Sequence, residues 1–218
     1  MRLRLKFAKT HSMRFTGHMD LHRSLERALR RAGLPLAYSQ GFTKRPKINL
    51  ASALPLGVTA EAELADIWLD EAVAPGEALD RIRSAAPPGI RLDEVTEVPE
   101  DAPKLQGAIR SSDFTVTLLE PLPDLDERIA GILAAGPLPR VRRDKPYDLR
   151  PLILDLKRLD DDETGHQRLL MTLLTQEAAT GRADEVVEEL GGSPLAIRVH
   201  RVRIHLTSQP ANQQTSKP

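Results

Sequence analysis

Two segments near the ends of this chain alternate with a period of two. RLRLKFAKT (2–10) sets Leu3, Leu5 and Phe7 against Arg2, Arg4 and Lys6, and AIRVHRVRIHL (196–206) alternates in the same way. Period two sends successive side chains to opposite faces of a strand, so both segments read as strands with one buried face and one polar face. A sheet of that kind needs helices to cover its apolar side, and the intervening sequence supplies them. From Asp20 to Ala32, Leu21, Leu25, Ala28, Leu29 and Ala32 recur at helical spacing, with Gly33 and Pro35 as a stop. KINLASALPLG (47–57) reads as a short strand and turn. AELADIWLD (62–70) reads as a strand with Leu64, Ile67 and Leu69 in the core, PGEALDRIRSA (75–85) as a helix and IRLDEVTEV (90–98) as a strand.

That order, βαββαβ, recurs after the proline- and acid-bearing stretch VPEDAPKLQGA (98–108). SDFTVTLLE (112–120) is a strand and DLDERIAGILAAG (124–136) a helix closed by Gly136. LPRVRRDKPYDLRPLILDLKRL (138–159) is irregular, with strand character in LILDLKRL. HQRLLMTLLTQ (166–176) is a strand, RADEVVEELGG (182–192) a helix, and 196–206 the last strand. The pattern predicts an α+β fold of two tandem ferredoxin-like units, 1–101 and 108–207, followed by a polar tail, 208–218, expected to be disordered.

Several function classes are excluded by what is missing. The 218 residues contain no cysteine, which rules out disulfides, thiolate zinc sites, a cysteine nucleophile and an iron–sulfur cluster ligated by this chain. No apolar run is long enough to span a membrane, and the N-terminal MRLRLKFAKTHSMRF lacks the apolar region of a signal peptide, so a cytoplasmic protein without membrane contact is expected. Phosphate-loop, dinucleotide, nucleophile-elbow and HExxH motifs do not occur, and no cofactor is expected.

A net charge of zero conceals an asymmetry. Residues 1–50 hold twelve Lys and Arg against only Asp20 and Glu26, a net of +10 that the remaining 168 residues offset with −10. Arg23, Arg27 and Arg30 fall on one helical stripe, and residues 30–57 carry Arg30, Arg31, Lys44, Arg45 and Lys47 with no carboxylate. Within that strip Tyr38 and Phe42 flank a glycine-hinged loop, two of six Phe and Tyr residues in the chain. Cations that neutralise phosphate, beside rings that stack on unpaired bases, make Arg23, Arg27, Arg30, Tyr38, Phe42, Lys44, Arg45 and Lys47 a candidate RNA-binding set. The competing reading packs the rings in the core and the basic segment against the acidic one.

His11, His18, Asp20 and His22 fall within twelve positions, which raises a metal site. The spacing favours Asp20 capping a helix start instead, and no metal is expected. His18 is the candidate general base should the chain cleave RNA, with Arg23 or Lys44 to stabilise the pentavalent phosphate.

FTGHMDLHRSLERALRRAGLPLAYSQGF, PKINLASALPLG and the following ExELADI, with YDLRPLI and VHRVRIHL more weakly, resemble the radical-SAM-linked protein family, domain of unknown function 2344. The resemblance covers nearly the whole chain. It implies a gene beside, or fused to, one for a radical SAM protein, often near genes for ribosomal proteins and a ribonuclease. Where the family usually reads Gly-Phe-Asn-Pro-His-Pro, this chain has Gly41-Phe42-Thr43-Lys44-Arg45-Pro46, losing a histidine and gaining two cations. The reading that results is a non-catalytic RNA-binding or substrate-presenting partner of a radical SAM enzyme acting on tRNA or rRNA. The alternatives are an RNA endonuclease of the repeat-associated type, by analogy of fold pattern alone, and a protein-interaction scaffold.

Overall fold

The alternating segments become strands of one large, mostly antiparallel sheet in an α+β architecture. The computed structural model describes residues 1–176 and 179–207; the expected disordered tail, 208–218, lies outside the described residues. The first half contains β1 (Arg2–Lys9), α1 (His18–Arg31), β2 (Ile48–Leu50), β3 (Thr59–Trp68), α2 (Pro75–Ala85) and β4 (Ile90–Val98). A four-residue helix, α3 (Leu105–Ala108), leads into β5 (Ile109–Leu118) and α4 (Leu125–Ala134). The chain then forms β6 (Pro139–Arg142), β7 (Lys145–Asp148), β8 (Ile153–Leu159), β9 (Arg168–Leu174), α5 (Ala183–Glu189) and β10 (Ile197–Leu206).

The sheet runs β4-β1-β3-β10-β5-β9-β8, with β2 paired to the remaining length of β3. In the first half the spatial order is therefore β4-β1-β3-β2, and in the second β10-β5-β9-β8, with every neighbour within a half antiparallel. The two halves meet at a parallel pairing of β3 with β10, Thr59 opposite His200 and Ala60 opposite Arg201.

One face of the sheet carries the helices. Leu3, Leu5 and Phe7 of β1, with Ala65 and Ile67 of β3, pack under Leu21, Leu25 and Leu29 of α1 and Ala78 and Ile82 of α2. A second core joins Phe114, Val116, Leu169, Met171 and Leu173 to Ile129 and Ile132 of α4 and Val186 and Val187 of α5. Helix α1 ends where Gly33 takes φ +64°, a left-handed conformation that glycine reaches without the steric cost of a Cβ.

On the opposite face Leu105 of α3 buries itself against Ile109 and Ile204, with Leu64 and Leu206 at the edge. Here Asp66, fully buried, accepts hydrogen bonds from both Arg2 and Arg4. The Arg2 guanidinium also donates to the carbonyl oxygens of Ala102 and Pro103, docking the stretch between the halves onto the sheet. No helix among the described residues is long and apolar enough to cross a membrane.

Four local expectations need correction. Helix α1 starts at His18 rather than Asp20, and Asp20 makes no capping hydrogen bond but faces Arg23 within the first turn. Leu64 does not share a core with Ile67 and Leu69, because its odd spacing from them sends it to the face under α3. Strand β3 begins at Thr59, three residues before the expected start. Residues 139–148, read as irregular, form the β6–β7 hairpin. Its pattern was silent because long-range ion pairs hold it: Arg140 bonds Glu188 and Glu189 of α5, and Arg142 bonds Glu185.

Arg201 is 1 % exposed and pairs with Glu63, 4 % exposed, through Nε to Oε1 at 2.7 Å and Nη2 to Oε2, while Nη1 donates to Ser52 Oγ at 2.7 Å. Breaking a buried pair strands a charge, whereas replacing both partners by apolar groups does not. Glu63→Ala is therefore expected to cost about 3–5 kcal/mol, and the double variant Glu63→Leu/Arg201→Met to recover most of that loss. Urea unfolding of the three proteins checks this; equal losses for single and double variants would show that the cost comes from losing the pair itself rather than from a stranded Arg201 charge.

Candidate nucleic-acid interface

The basic strip folds into two connected pieces. Along α1, Arg23, Arg27 and Arg30 are exposed, but Arg23 pairs with Asp20 at 3.3 Å and Arg30 with Glu26 at 2.9 Å, leaving Arg27 as the member of the stripe without an ion pair among the described residues. Such exposed pairs are weak and leave the cations available to phosphate. The second piece is the loop 38–47, closed at its base where Tyr38 bridges Pro46 and the Lys47 N–H donates to Ala37 O at 2.8 Å. Ser39 ties it further: its N–H donates to Arg45 O at 2.8 Å, and its Oγ accepts from the Arg45 N–H at 3.1 Å.

The two aromatics therefore have different surroundings. Tyr38 is half-buried, packs against the first core, and lies under the Arg30 guanidinium at 5.5 Å from the ring centroid, which couples the helix stripe to the loop. Phe42 sits at the loop tip, fully exposed at 109 % relative accessibility, with Lys44, Arg45 and Lys47 exposed beside it. No ion pair involves these three cations among the described residues. A closed loop that holds a bare ring and three free cations outward matches what an unpaired nucleotide strand contacts: a π face for a base, positive charge for the backbone.

A second group of residues lies at the seam between the halves, and of these the sequence reading singled out His18 but not Lys9. Lys9, fully buried at the end of β1, donates from Nζ to the carbonyl oxygens of Arg14 at 3.3 Å and Val58 at 3.0 Å. Burial pushes its pKa below the usual lysine value, and the adjacent Glu63 carboxylate opposes that shift only in part. His18, at the start of α1, has a buried Nδ1 without a hydrogen-bond partner among the described residues. Burial, then the neighbouring His22, lowers its pKa, so the imidazole is neutral at pH 7. The metal cluster raised by the sequence does not assemble, since Asp20 turns outward to Arg23 and no three His, Asp or Glu among the described residues converge on one point. The signal for Lys9 was a lysine on the apolar parity of a strand otherwise alternating cleanly, which is indistinguishable in sequence from a strand end.

Between the halves, on the helix side of the sheet, the seam opens into a cavity of about 470 Å³. Its floor includes Arg201, Val199 and Phe114, and its walls come from the loops at 14–15, 52–58, 180–184 and 194–195.

Because the folded protein disfavours a charged Lys9, it binds fewer protons than the unfolded chain in the alkaline range below the ordinary lysine value of 10.5. The sign follows: relative to Lys9→Met, wild-type stability rises with pH through that range. Paired urea titrations from pH 7 upward measure it, and a difference that falls with pH would contradict a desolvated ammonium.

Comparison with known proteins adds two results on fold and one on family. Among solved structures, a Cbf5-Nop10-Gar1 complex aligns at a TM-score of 0.50 and 9 % identity over 93 % of this chain and 48 % of that one. An archaeal box H/ACA sRNP Nop10-Cbf5 complex aligns at a TM-score of 0.47 and 9 % identity over 93 % of this chain and 47 % of that one. The chain thus spans about half the length of the chains it resembles, and the likeness concerns fold alone. The sequence matches no curated protein. The model of the family described as "uncharacterized protein conserved in bacteria" (DUF2344) matches residues 2–183, and the chain belongs to that family.

Proposed function

We propose that this protein is a non-catalytic RNA-binding or substrate-presenting partner of a radical SAM enzyme acting on tRNA or rRNA. The observation that carries the RNA reading is loop 38–47, where a fully exposed Phe42 is followed by exposed Lys44, Arg45 and Lys47, none of them in an ion pair among the described residues. Membership of the family fits partnership with a radical SAM protein through the gene associations that the resemblance implies, and a cysteine-free chain must leave any three-cysteine cluster to its partner. The proposed architecture is two tandem ferredoxin-like units, 1–101 and 108–207. Its support is the βαββαβ order of each half with the first, third and fourth strands adjacent in the order fourth-first-third-second.

Endonuclease activity is the second reading, favoured by one observation: a neutral His18 with an unpartnered Nδ1 beside the seam. Incubation with tRNA and rRNA decides it, since cleavage that is lost in His18→Ala with folding intact would replace the non-catalytic proposal.

Fluorescence anisotropy with labelled octauridylate across a salt series tests the strip. Replacing Lys44, Arg45 and Lys47 together by Ala is expected to flatten the log–log salt slope by about two, near −0.7 per single-strand phosphate contact. Phe42→Ala is expected to cost about 1–3 kcal/mol of binding with the slope unchanged and no loss of stability, the ring being bare. Tyr38→Ala, by contrast, should lower stability because its ring packs on the core. A triple variant that binds as tightly as wild type, with the same slope, would remove the strip from RNA binding. Recovery of the tagged protein from its cells, with and without nuclease, should yield a radical SAM protein that remains bound after RNA is digested.

A further inference from the structure

We infer that the cleft at the seam is a second contact on the same RNA, a pocket that receives one unpaired nucleotide with its base on an apolar rim and its phosphate at Arg14. The inference rests on the RNA reading of the strip and assigns it a further site, built from both halves of the chain.

Three of the most exposed apolar side chains surround this one opening: Phe15 at 75 %, Leu56 at 64 % and Leu195 at 93 %. Exposed apolar groups that converge on a concavity, rather than scatter, mark a binding site. The volume, about 470 Å³, lies within the range of small-ligand pockets and admits a nucleotide but not a helix or a duplex.

The rim is held in place before any ligand arrives. The Gly57 N–H donates to Arg14 O at 3.0 Å, and Arg14 Nε donates back to Gly57 O at 2.9 Å. Gly57 takes φ +83° to make that close approach, and beneath it Lys9 ties the Arg14 and Val58 carbonyls together. Phe15 and Leu56 thus project from two loops zipped to each other and anchored on one buried ammonium, so little ordering entropy remains to oppose binding.

The charge of the site is complementary to a phosphate. Arg201 is balanced by Glu63, and Arg182 by Asp184 at 2.8 Å. Arg14 has no ion-pair partner among the described residues, which leaves the lining of the cleft with one uncompensated positive charge. The Arg14 guanidinium lies 5.2 Å from the Phe15 centroid, with Nη1 and Nη2 free of hydrogen bonds among the described residues, so cation and ring present themselves as one unit.

Continuity with the strip identifies the ligand as RNA rather than a free metabolite. Helix α1 starts at His18, shortly after Arg14 and Phe15 of the cleft rim, and from there carries Arg23, Arg27 and Arg30 along about 18 Å at 1.5 Å per residue, ending at the ring of Tyr38. A single strand held at the loop tip therefore has a cationic path back to the cleft.

The test uses the full chain and octauridylate, by anisotropy across salt and by photocrosslinking with 4-thiouridine at one position. Phe15→Ala/Leu195→Ala removes only exposed atoms and is expected to weaken binding about tenfold with the salt slope unchanged, while Val141→Ala, equally exposed and on the β6–β7 hairpin, has no effect. Crosslinks are expected at Phe15, Leu56 or Leu195 in addition to the strip. If octauridylate binds wild type but the double variant matches it and all crosslinks fall within 38–47, the cleft inference is overturned and the strip survives. If wild type does not bind octauridylate, the RNA reading and the cleft fall together.

Discussion

The buried pair of Arg201 with Glu63 sits where two four-stranded arrangements become one sheet. Only two residue pairs of β3 and β10 share parallel register, too few to fix the junction by backbone hydrogen bonds alone. A bidentate guanidinium–carboxylate contact adds directional constraint at that point, because the planar fork accepts one orientation of its partner. At that joint Arg201 also reaches Ser52, on a loop that rims the cleft, and the Glu63 carboxylate lies near the buried Lys9. The pair stabilises modestly in net terms while making alternatives expensive, since either ion alone in that site would be stranded without water.

The charge asymmetry of the sequence is resolved by sorting rather than by a uniform basic face. Arg2 and Arg4 are absorbed by Asp66 and Lys9 by backbone carbonyls, whereas Arg23 and Arg30 make only weak, exposed pairs on their own helix. The internal-pairing reading of the N-terminal cations thus holds for Arg2 and Arg4. It does not extend to Lys44, Arg45 and Lys47, which are exposed on loop 38–47 and make no ion pair among the described residues. A whole-segment net charge is for this reason a poor guide to surface potential, whereas a carboxylate-free stretch bounded by turn residues is a better one. Tyr38 and Phe42 divide in the same manner: four residues apart in sequence, one supports the loop and the other is presented by it.

Element order and most element boundaries were legible because their signals are local. Pro75 opening α2, the apolar spacing of α1, and the alternation of β1 each operate within a few residues of the feature they define. The strip on α1 and loop 38–47 was legible for the same reason, being contiguous. The start of α1 was misplaced because Gly17 serves as its cap without a side chain to announce it. The β6–β7 hairpin was missed because Arg140 and Arg142 find their carboxylates on α5, more than forty residues ahead.

By itself, then, the sequence determined where most strands and helices lie and which face of β1 and α1 is apolar. Tertiary structure alone decided that β10 returns to lie beside β3, that Glu63 meets Arg201 across 138 positions, and that Lys9, Arg14 and Gly57 share one seam with the second half. The reason is physical. Periodicity and capping are encoded in neighbouring residues, but the choice between edge strands of comparable hydrophobicity depends on long-range packing and on the pairing of buried charges, whose partners carry no mark in the local sequence.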